Sequence, residues 1–244
     1  MTSPTEISAR YDHTNGLFNA IASRYDRTNC LISFGLNKWW HRRLVASVRQ
    51  VAHATILDLA CGTGTLTRKL AGLPGTRVTG IDPSVNMLAV AGQRMTHRRR
   101  SPGGGEQVAF LEGYAEALPF PDNSFQVVTV SYGIRNFADR DAAFRQALRV
   151  LKPGGMIFVL EFSLKAETSA MMALQRFYIH RLLPLAGWLF TGEKAAYRYL
   201  RDSVAGFPAP QAICDEMKTA GFKEIKFTRF VPGVAVLFTG LKKS

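Results

Sequence analysis

The stretch Thr55-Ile-Leu-Asp-Leu-Ala-Cys-Gly-Thr-Gly-Thr-Leu-Thr67 constrains this chain more than any other. Ile56, Leu57, Leu59 and Ala60 form a short apolar run, the mark of a buried strand. Gly62 and Gly64 follow and predict a tight turn whose backbone a ligand can approach closely. From Thr65 the pattern can start a helix, whose first N–H groups face the same ligand. Strand, glycine turn and helix together predict a cofactor pocket at the carboxyl end of a parallel sheet.

Two details narrow the cofactor. A dinucleotide fingerprint wants a third glycine three positions after the second, and that position is Thr67. Asp58 sits inside the strand just before the turn, where a carboxylate repels a pyrophosphate but suits the ammonium of an amino-acid-bearing cofactor. Gly80-Ile-Asp82 then ends a second strand with an acid, the place for a carboxylate accepting hydrogen bonds from ribose hydroxyls. Asp58, Gly62, Gly64 and Asp82 at this spacing resemble the S-adenosylmethionine site of class I methyltransferases.

The rest of the chain fits an α/β fold. Strands are predicted at Thr76–Ile81, Val108–Leu111, Phe125–Ser131 and Met156–Leu160, the last apolar throughout and therefore central. Helices are predicted over Ile7 to about Asn29, Lys38 to about Ala52, Leu66–Gly72, from Pro83-Ser84 to the Arg98-Arg99-Arg100 loop, over Asp141–Leu151 and over Pro210–Ala220. Lys152-Pro-Gly-Gly155 reads as the turn that stops the fifth of these. Phe222–Arg229 and Val234–Thr239 read as a hairpin-like pair around Pro232-Gly233. Alternating strands and helices with a terminal strand pair predict a doubly wound, Rossmann-like, mostly parallel seven-stranded sheet. One structural domain is expected, with residues 1–52 as an N-terminal helical segment packed on a core of residues 53–244. The insert at about 163–205 forms a helical lid. It is more apolar than a surface helix needs, which fits either packing on the sheet or an apolar wall over a greasy substrate.

Composition bounds the partners. With 244 residues the chain can bury one good core. No apolar run is long enough to span a bilayer, and the N-terminus lacks the parts of a signal peptide. Cys30, Cys61 and Cys214 are scattered, which reads as reduced thiols in a cytoplasmic protein with no metal site. The net charge of +13 fits solubility alone, or a nucleic acid, an anionic membrane surface or a negatively charged substrate. No RNA-binding signature is present, so nucleic acid is not expected.

Several stretches are similar to the ubiquinone/menaquinone biosynthesis C-methyltransferases. They are Ala22-Ser-Arg-Tyr-Asp26, Asp58-Leu-Ala-Cys-Gly-Thr-Gly64, Ala115-Glu-Ala-Leu-Pro-Phe-Pro-Asp122, Ser131-Tyr-Gly-Ile-Arg-Asn136, Arg149-Val-Leu-Lys-Pro-Gly-Gly155, Leu160-Glu-Phe-Ser163 and Tyr197-Arg-Tyr-Leu200. The resemblance spans roughly residues 15–240. It implies a class I methyltransferase fold, S-adenosylmethionine held at Thr63, Asp82, Tyr114–Ala115 and Ser131, and a reduced polyprenylated quinone precursor as acceptor. That family usually has Asp or Asn at the position of Tyr114. An amide or carboxylate there can bond the adenine amino group, whereas a tyrosine stacks on the ring.

Methyl transfer is an in-line displacement that needs alignment and exclusion of water. Arg135 follows the fourth strand; its guanidinium does not deprotonate, so it is expected to stabilise a phenolate, or else to pair with Asp139 or Asp141. Glu161 can accept the hydroxyl proton or brace the lid. Tyr25 and Asp26 can close over the substrate or make an ordinary helix contact, and Tyr197 can orient the ring or lie in the core. None of His13, His41, His53, His97 and His180 has a catalytic spacing. A polyprenyl tail stays in the bilayer, so peripheral contact with an anionic membrane is expected; the sequence leaves a homodimer open. The alternatives are a methyltransferase of the same fold acting on another small aromatic, a non-catalytic binder that kept the fold, and, for want of the third glycine, more distantly a nicotinamide oxidoreductase.

Overall fold

A computed structural model describes residues 11, 16, 18, 19, 22, 26, 30, 33, 35–96, 107–163, 199, 202–230 and 235–243. Tyr25, Tyr197, the Arg98–Arg100 loop and most of the expected N-terminal helix and lid insert lie outside the described residues.

The described elements are α1 (Leu36–Val48), β1 (Thr55–Leu59), α2 (Thr65–Leu70), β2 (Arg77–Asp82), α3 (Val85–Thr96), β3 (Gln107–Glu112), β4 (Phe125–Ser131), α4 (Arg140–Val150), β5 (Leu151–Phe162), α5 (Pro210–Thr219), β6 (Lys223–Phe230) and β7 (Ala235–Leu241). The seven strands form one sheet in the order β3-β2-β1-β4-β5-β7-β6. β1 to β5 run parallel. β7 is antiparallel to both β5 and β6, as the terminal strand pair predicts.

The parallel strands are covered on both faces, which is why they read as continuous apolar runs. Side chains alternate along β1. Ile56 packs with Val78, Val127 and Phe158 against Trp40, Leu44 and Val48 of α1 and Leu66 and Leu70 of α2. Leu57 and Leu59 pack on the opposite face with Val128, Val130 and Val159 against Phe144 and Ala147 of α4 and Ile213 and Met217 of α5. Each fully buried large aliphatic side chain contributes about 1.5–3 kcal/mol, so the sheet is held from both sides.

Two boundaries differ from the sequence reading. Helix α1 ends at Val48, not near Ala52, and Arg49 to Val51 close it with turn hydrogen bonds. Helix α4 ends at Val150, and Lys152-Pro-Gly-Gly155 is an irregular start of β5, not a free turn. Phe125 pairs with Leu151 and Val127 with Met156, so the extra residues form a bulge with Gly154 at φ 75°.

The order reverses at β1, whose neighbours β2 and β4 lie on opposite sides. Connections leave the two strands in opposite directions there and open a crevice at their carboxyl ends.

Candidate active site

The crevice is a cavity floored by the residues that leave β1, β2 and β4. Ala60 to Thr63 follow β1, Asp82 and Pro83 end β2, and Ser131 to Gly133 end β4. Gly113 and Ala115 close one side, Asn37 and His41 of α1 another, and Tyr11, Phe18 and Asp26 of the N-terminal segment cap it.

The glycine turn has the predicted geometry. Gly62 and Gly64 have φ of 53° and 71°, values a side chain disfavours, and Gly64 precedes α2. Gly62 lines the cavity; Gly64 does not. A Cβ on Gly64 would come within 3.0 Å of Phe110 and 3.1 Å of Ala91, so this glycine lets the turn pack on β3 and α3. Ala60 and Tyr132, directly beyond β1 and β4, also have positive φ, 51° and 59°. Gly133 sits against Ala60, and a Cβ there would lie 2.4 Å from the alanine methyl.

Asp58 is buried, and both its oxygens are occupied. Thr67 and Thr129 donate their hydroxyls to it, each at 2.6 Å. Asp82 accepts the Gly62 N–H at 2.8 Å and the Ser84 N–H at 2.9 Å. Burial pushes both carboxyls up to about 6, while the donated hydrogen bonds oppose the shift. Thr67, where a dinucleotide site would want glycine, thus holds Asp58. Asp26 accepts the Thr63 hydroxyl at 2.9 Å and pairs with Arg94, so it latches the N-terminal segment to the turn.

For Arg135 and Glu161 the sequence left open a role at the substrate or a structural contact, and neither lines the cavity. They pair with each other at 2.7 Å with side-chain exposures of 3% and 0%. The partner of Arg135 is therefore not Asp139, which caps α4, nor Asp141, which pairs with Arg145. Arg135 also donates to the Tyr132 carbonyl at 2.6 Å, so the pair braces the turn after β4. Burial raises the Glu161 carboxyl and the Arg135 guanidinium opposes that rise. Ala115 lines the cavity, but Tyr114 does not; its ring lies 5.1 Å from that of Tyr11.

Three residues that the sequence did not single out shape the site. His41 bonds Ser131 Oγ through Nε2 at 2.8 Å, with its ring 5.5 Å from Tyr132. Burial first, and Lys69 second, lower its pKa to about 3, so the imidazole is neutral. Asn37 lies one helical turn before His41, and its Oδ1 is buried without a hydrogen-bond partner. Glu116 accepts from the Tyr11 hydroxyl at 3.0 Å and from the Ala138 N–H at 2.8 Å. A histidine four residues after an asparagine on an amphipathic helix was the available signal, and it carries nothing until that helix is placed on the sheet. No cluster that could hold a metal ion occurs among the described residues.

The charge of the cavity is informative. The chain carries +13, yet the cavity lining contains Asp26, Asp58 and Asp82 and, among the described residues, no lysine or arginine. Such a lining attracts a cation and offers acceptors to hydroxyl groups.

Comparison with known proteins agrees with this reading of the fold. The profile of the ubiE/COQ5 methyltransferase family matches residues 6–242. A demethylmenaquinone methyltransferase of Thermus thermophilus is 44% identical over 225 residues, covering 92% of this chain and 99% of that one. A ubiquinone/menaquinone biosynthesis C-methyltransferase UbiE of Shewanella sediminis is 36% identical over 239 residues, covering 97% and 93%. Among solved structures, a SAM-dependent methyltransferase from Aquifex aeolicus superposes with a TM-score of 0.58 at 12% identity, covering 99% of each chain. Phosphoethanolamine N-methyltransferase 2 of Haemonchus contortus, in complex with S-adenosyl-L-methionine, superposes with a TM-score of 0.61 at 19% identity over 83% of this chain and 53% of that one. With the family profile spanning nearly the whole sequence, and the strand-end cavity lying where this fold puts its cofactor, the chain belongs to the ubiE/COQ5 methyltransferase family.

Proposed function

We propose that this protein transfers a methyl group from S-adenosylmethionine to a ring carbon of a reduced, polyprenylated quinone precursor. The observation that carries the cofactor reading is the aspartate-lined cavity in a basic chain. The acceptor reading rests on relatives named for demethylmenaquinone and ubiquinone/menaquinone biosynthesis across nearly the whole length.

When bound, S-adenosylmethionine supplies an electrophilic methyl on a sulfonium. Asp82 accepts the ribose hydroxyls at the end of β2. Asp58, held in place by Thr67 and Thr129, favours an ammonium and a sulfonium nearby through its charge. Ala115 flanks the adenine, and Thr63 is fixed by Asp26. Ser131, held by His41, contacts the cofactor as the resemblance implies, and Asn37 Oδ1 is an acceptor on the same wall. A neutral His41 adds no positive charge beside a cationic ligand. Phe18, Tyr132 and Phe137 exclude water from the reacting carbon. Arg135 and Glu161 act as positioning residues that hold the turn carrying Tyr132 and Gly133.

The described residues Tyr11, Asn19, Asp26 and Tyr199 belong to the cover of the site in this reading. Contacts from Tyr11 to Glu116, Asn19 to Ser84, Asp26 to Thr63 and Tyr199 to Asn136 support it, because each ties the cover to the loop beyond a different strand. The tail of the acceptor requires peripheral contact with a bilayer.

The test is incubation with labelled S-adenosylmethionine and a panel of reduced demethylated quinones, followed by mass analysis. One added methyl on a ring carbon of a quinol is the expected product. Transfer only to unrelated small aromatics would replace the acceptor class and leave the cofactor reading intact.

A further inference from the structure

Helix α1 has two faces of opposite character. Asn37, Trp40, His41, Leu44 and Val48 point inward, and the first and third of these line the cavity. Lys38, Trp39, Arg42 and Arg43 are exposed on the other side. Between Asp26 and Asp58 the sequence contains no acidic residue, so nothing on this helix or its flanks balances those cations.

The one large apolar side chain on the outer face is Trp39. It is 40% exposed, rests edge-on against Phe230 with centroids 5.4 Å apart, and has the Arg43 guanidinium 5.9 Å from its ring centroid. An indole braced at its base and ringed by cations suits a boundary between water and lipid, where its apolar body and its N–H find different surroundings. Positive charge also crowds beyond the helix. The Lys69 ammonium of α2 is pushed below its usual range by burial first, then by Arg42, Arg68 and Lys38.

We propose that the outward face of α1, formed by Lys38, Trp39, Arg42 and Arg43, docks on an anionic lipid surface. The thickness of one helix, about 10 Å, separates the docking side chains from Asn37 and His41 on the cavity wall. Docking there holds the cavity about one helix thickness from the lipid, within reach of a ring whose tail remains among the acyl chains. This rests on the quinol reading above for its purpose, though its geometry stands without it. A nucleic acid offers similar charge, but a half-exposed indole among the cations favours a surface with an apolar interior.

The full chain is mixed with vesicles of phosphatidylcholine, with and without phosphatidylglycerol, and sedimented. Binding is expected only with phosphatidylglycerol and is expected to weaken with added salt. R42Q/R43Q is expected to lower partitioning about 25-fold, because each basic residue near an anionic surface contributes about fivefold. K223Q/K226Q removes the same charge from exposed positions on β6 and is expected to change partitioning by no more than about twofold. Equal losses in the two double variants would overturn the assignment to α1. A second measurement does not depend on those variants. Lipids brominated on the acyl chains are expected to quench part of the tryptophan emission of the native chain and to lose that part in W39F; identical quenching in both would also overturn it. Polyuridylate that displaces the protein from vesicles with the same dependence on Arg42 and Arg43 assigns the face to nucleic acid instead. Methylation of a short-tailed, water-soluble demethylquinol without vesicles is expected to be unchanged in R42Q/R43Q. Loss of that turnover would place these residues in the site or the fold and overturn docking. If no quinol is methylated by any variant while vesicle binding still maps to α1, the acceptor reading fails and the docking face stands.

Discussion

Two sets of buried carboxylates sit at the carboxyl edge of one sheet, and they are satisfied in different ways. Asp58 and Asp82, near the ends of β1 and β2, are held by hydroxyls and backbone N–H groups. Glu161, near the end of β5, is held by a guanidinium. Dipoles hold a carboxylate in place without cancelling its charge, so the first pair keeps a negative field for a ligand. A guanidinium cancels it, which supports the proposal that Glu161 is a positioning residue. The position of an acid at a strand end therefore does not identify it as part of a binding site; the nature of its partner does.

The largest expected effect breaks the brace. Arg135→Ala leaves Glu161 buried and unpaired and is expected to cost about 3–5 kcal/mol in denaturant unfolding. Replacing both partners, Arg135→Met with Glu161→Leu, is expected to recover most of that loss, since an apolar pair carries no desolvation penalty. Unchanged stability with abolished turnover in Arg135→Ala would put the guanidinium against the substrate and erase the contrast.

Asp82→Asn tests the other side. It keeps the shape but loses the charge, and S-adenosylmethionine affinity in calorimetry is expected to fall by about 1.5–3 kcal/mol, roughly 10- to 150-fold. Stability is expected to fall by about 1–3 kcal/mol, because the amide nitrogen leaves one of the Gly62 and Ser84 N–H groups without its acceptor. The opposite pattern, intact affinity with a damaged fold, would make Asp82 a brace like Glu161.

The pH dependence sharpens the same point. Folding raises the Asp58 and Asp82 carboxyls to about 6. With a folded pKa above the unfolded one, their contribution to stability is complete below the ordinary carboxylate range and is lost as pH rises through about 6. Ligand affinity runs the other way, because the charged form binds. It is expected to fall as pH drops below about 6, by up to about 1.4 kcal/mol per unit for each proton taken up. Asp82→Asn removes one of the two titrating acids and is expected to make the affinity profile shallower.

His41 represents a third way to manage a buried ionisable group, which is to keep it uncharged. Its folded pKa of about 3 lies below the ordinary 6.5, so its stability contribution is complete above 6.5 and is lost as pH falls toward 3. The advantage of the native chain over His41→Gln in thermal unfolding is expected to shrink on acidification below pH 6.5, by at most about 1.4 kcal/mol per unit. A constant difference would mean that folding does not hold the imidazole neutral, and a difference that grows on acidification would mean that the wall near Ser131 carries a charged imidazole.

What was legible in the sequence follows from distance along the chain. The turn from Asp58 to Thr67 is local, so its strand, its positive-φ glycines and its acid could be read directly, and so could Asp82 at the end of the next strand. The terminal antiparallel pair was equally plain from the two strand-like stretches on either side of Pro232-Gly233. His41 and Asn37 could not be read this way, because they reach the cavity only when α1 docks on the sheet, and Glu116 could not, because it holds Tyr11 only when the β3 exit loop meets the β4 exit loop. Arg135 and Glu161 were singled out for the right reason, proximity to strand ends. Their mutual contact across β4 and β5 depends on strand order, which no local pattern records. Lys152-Pro-Gly-Gly155 was read as punctuation, whereas the bulge opposite β4 keeps those residues within the strand.

The contact between Gly133 and Ala60 limits how this site can change over generations. Gly133 has φ −104° and ψ −32°, a conformation open to any residue, so only the neighbouring methyl forbids a larger one. With glycine at 60, whose φ of 51° suits it better than alanine, the nearest side-chain neighbour of a new Cβ at 133 would be Val130 at 3.5 Å. Drift at these two positions therefore has a permitted order: the methyl beyond β1 must go before one can arrive beyond β4, and a lineage attempting the reverse passes through a broken protein.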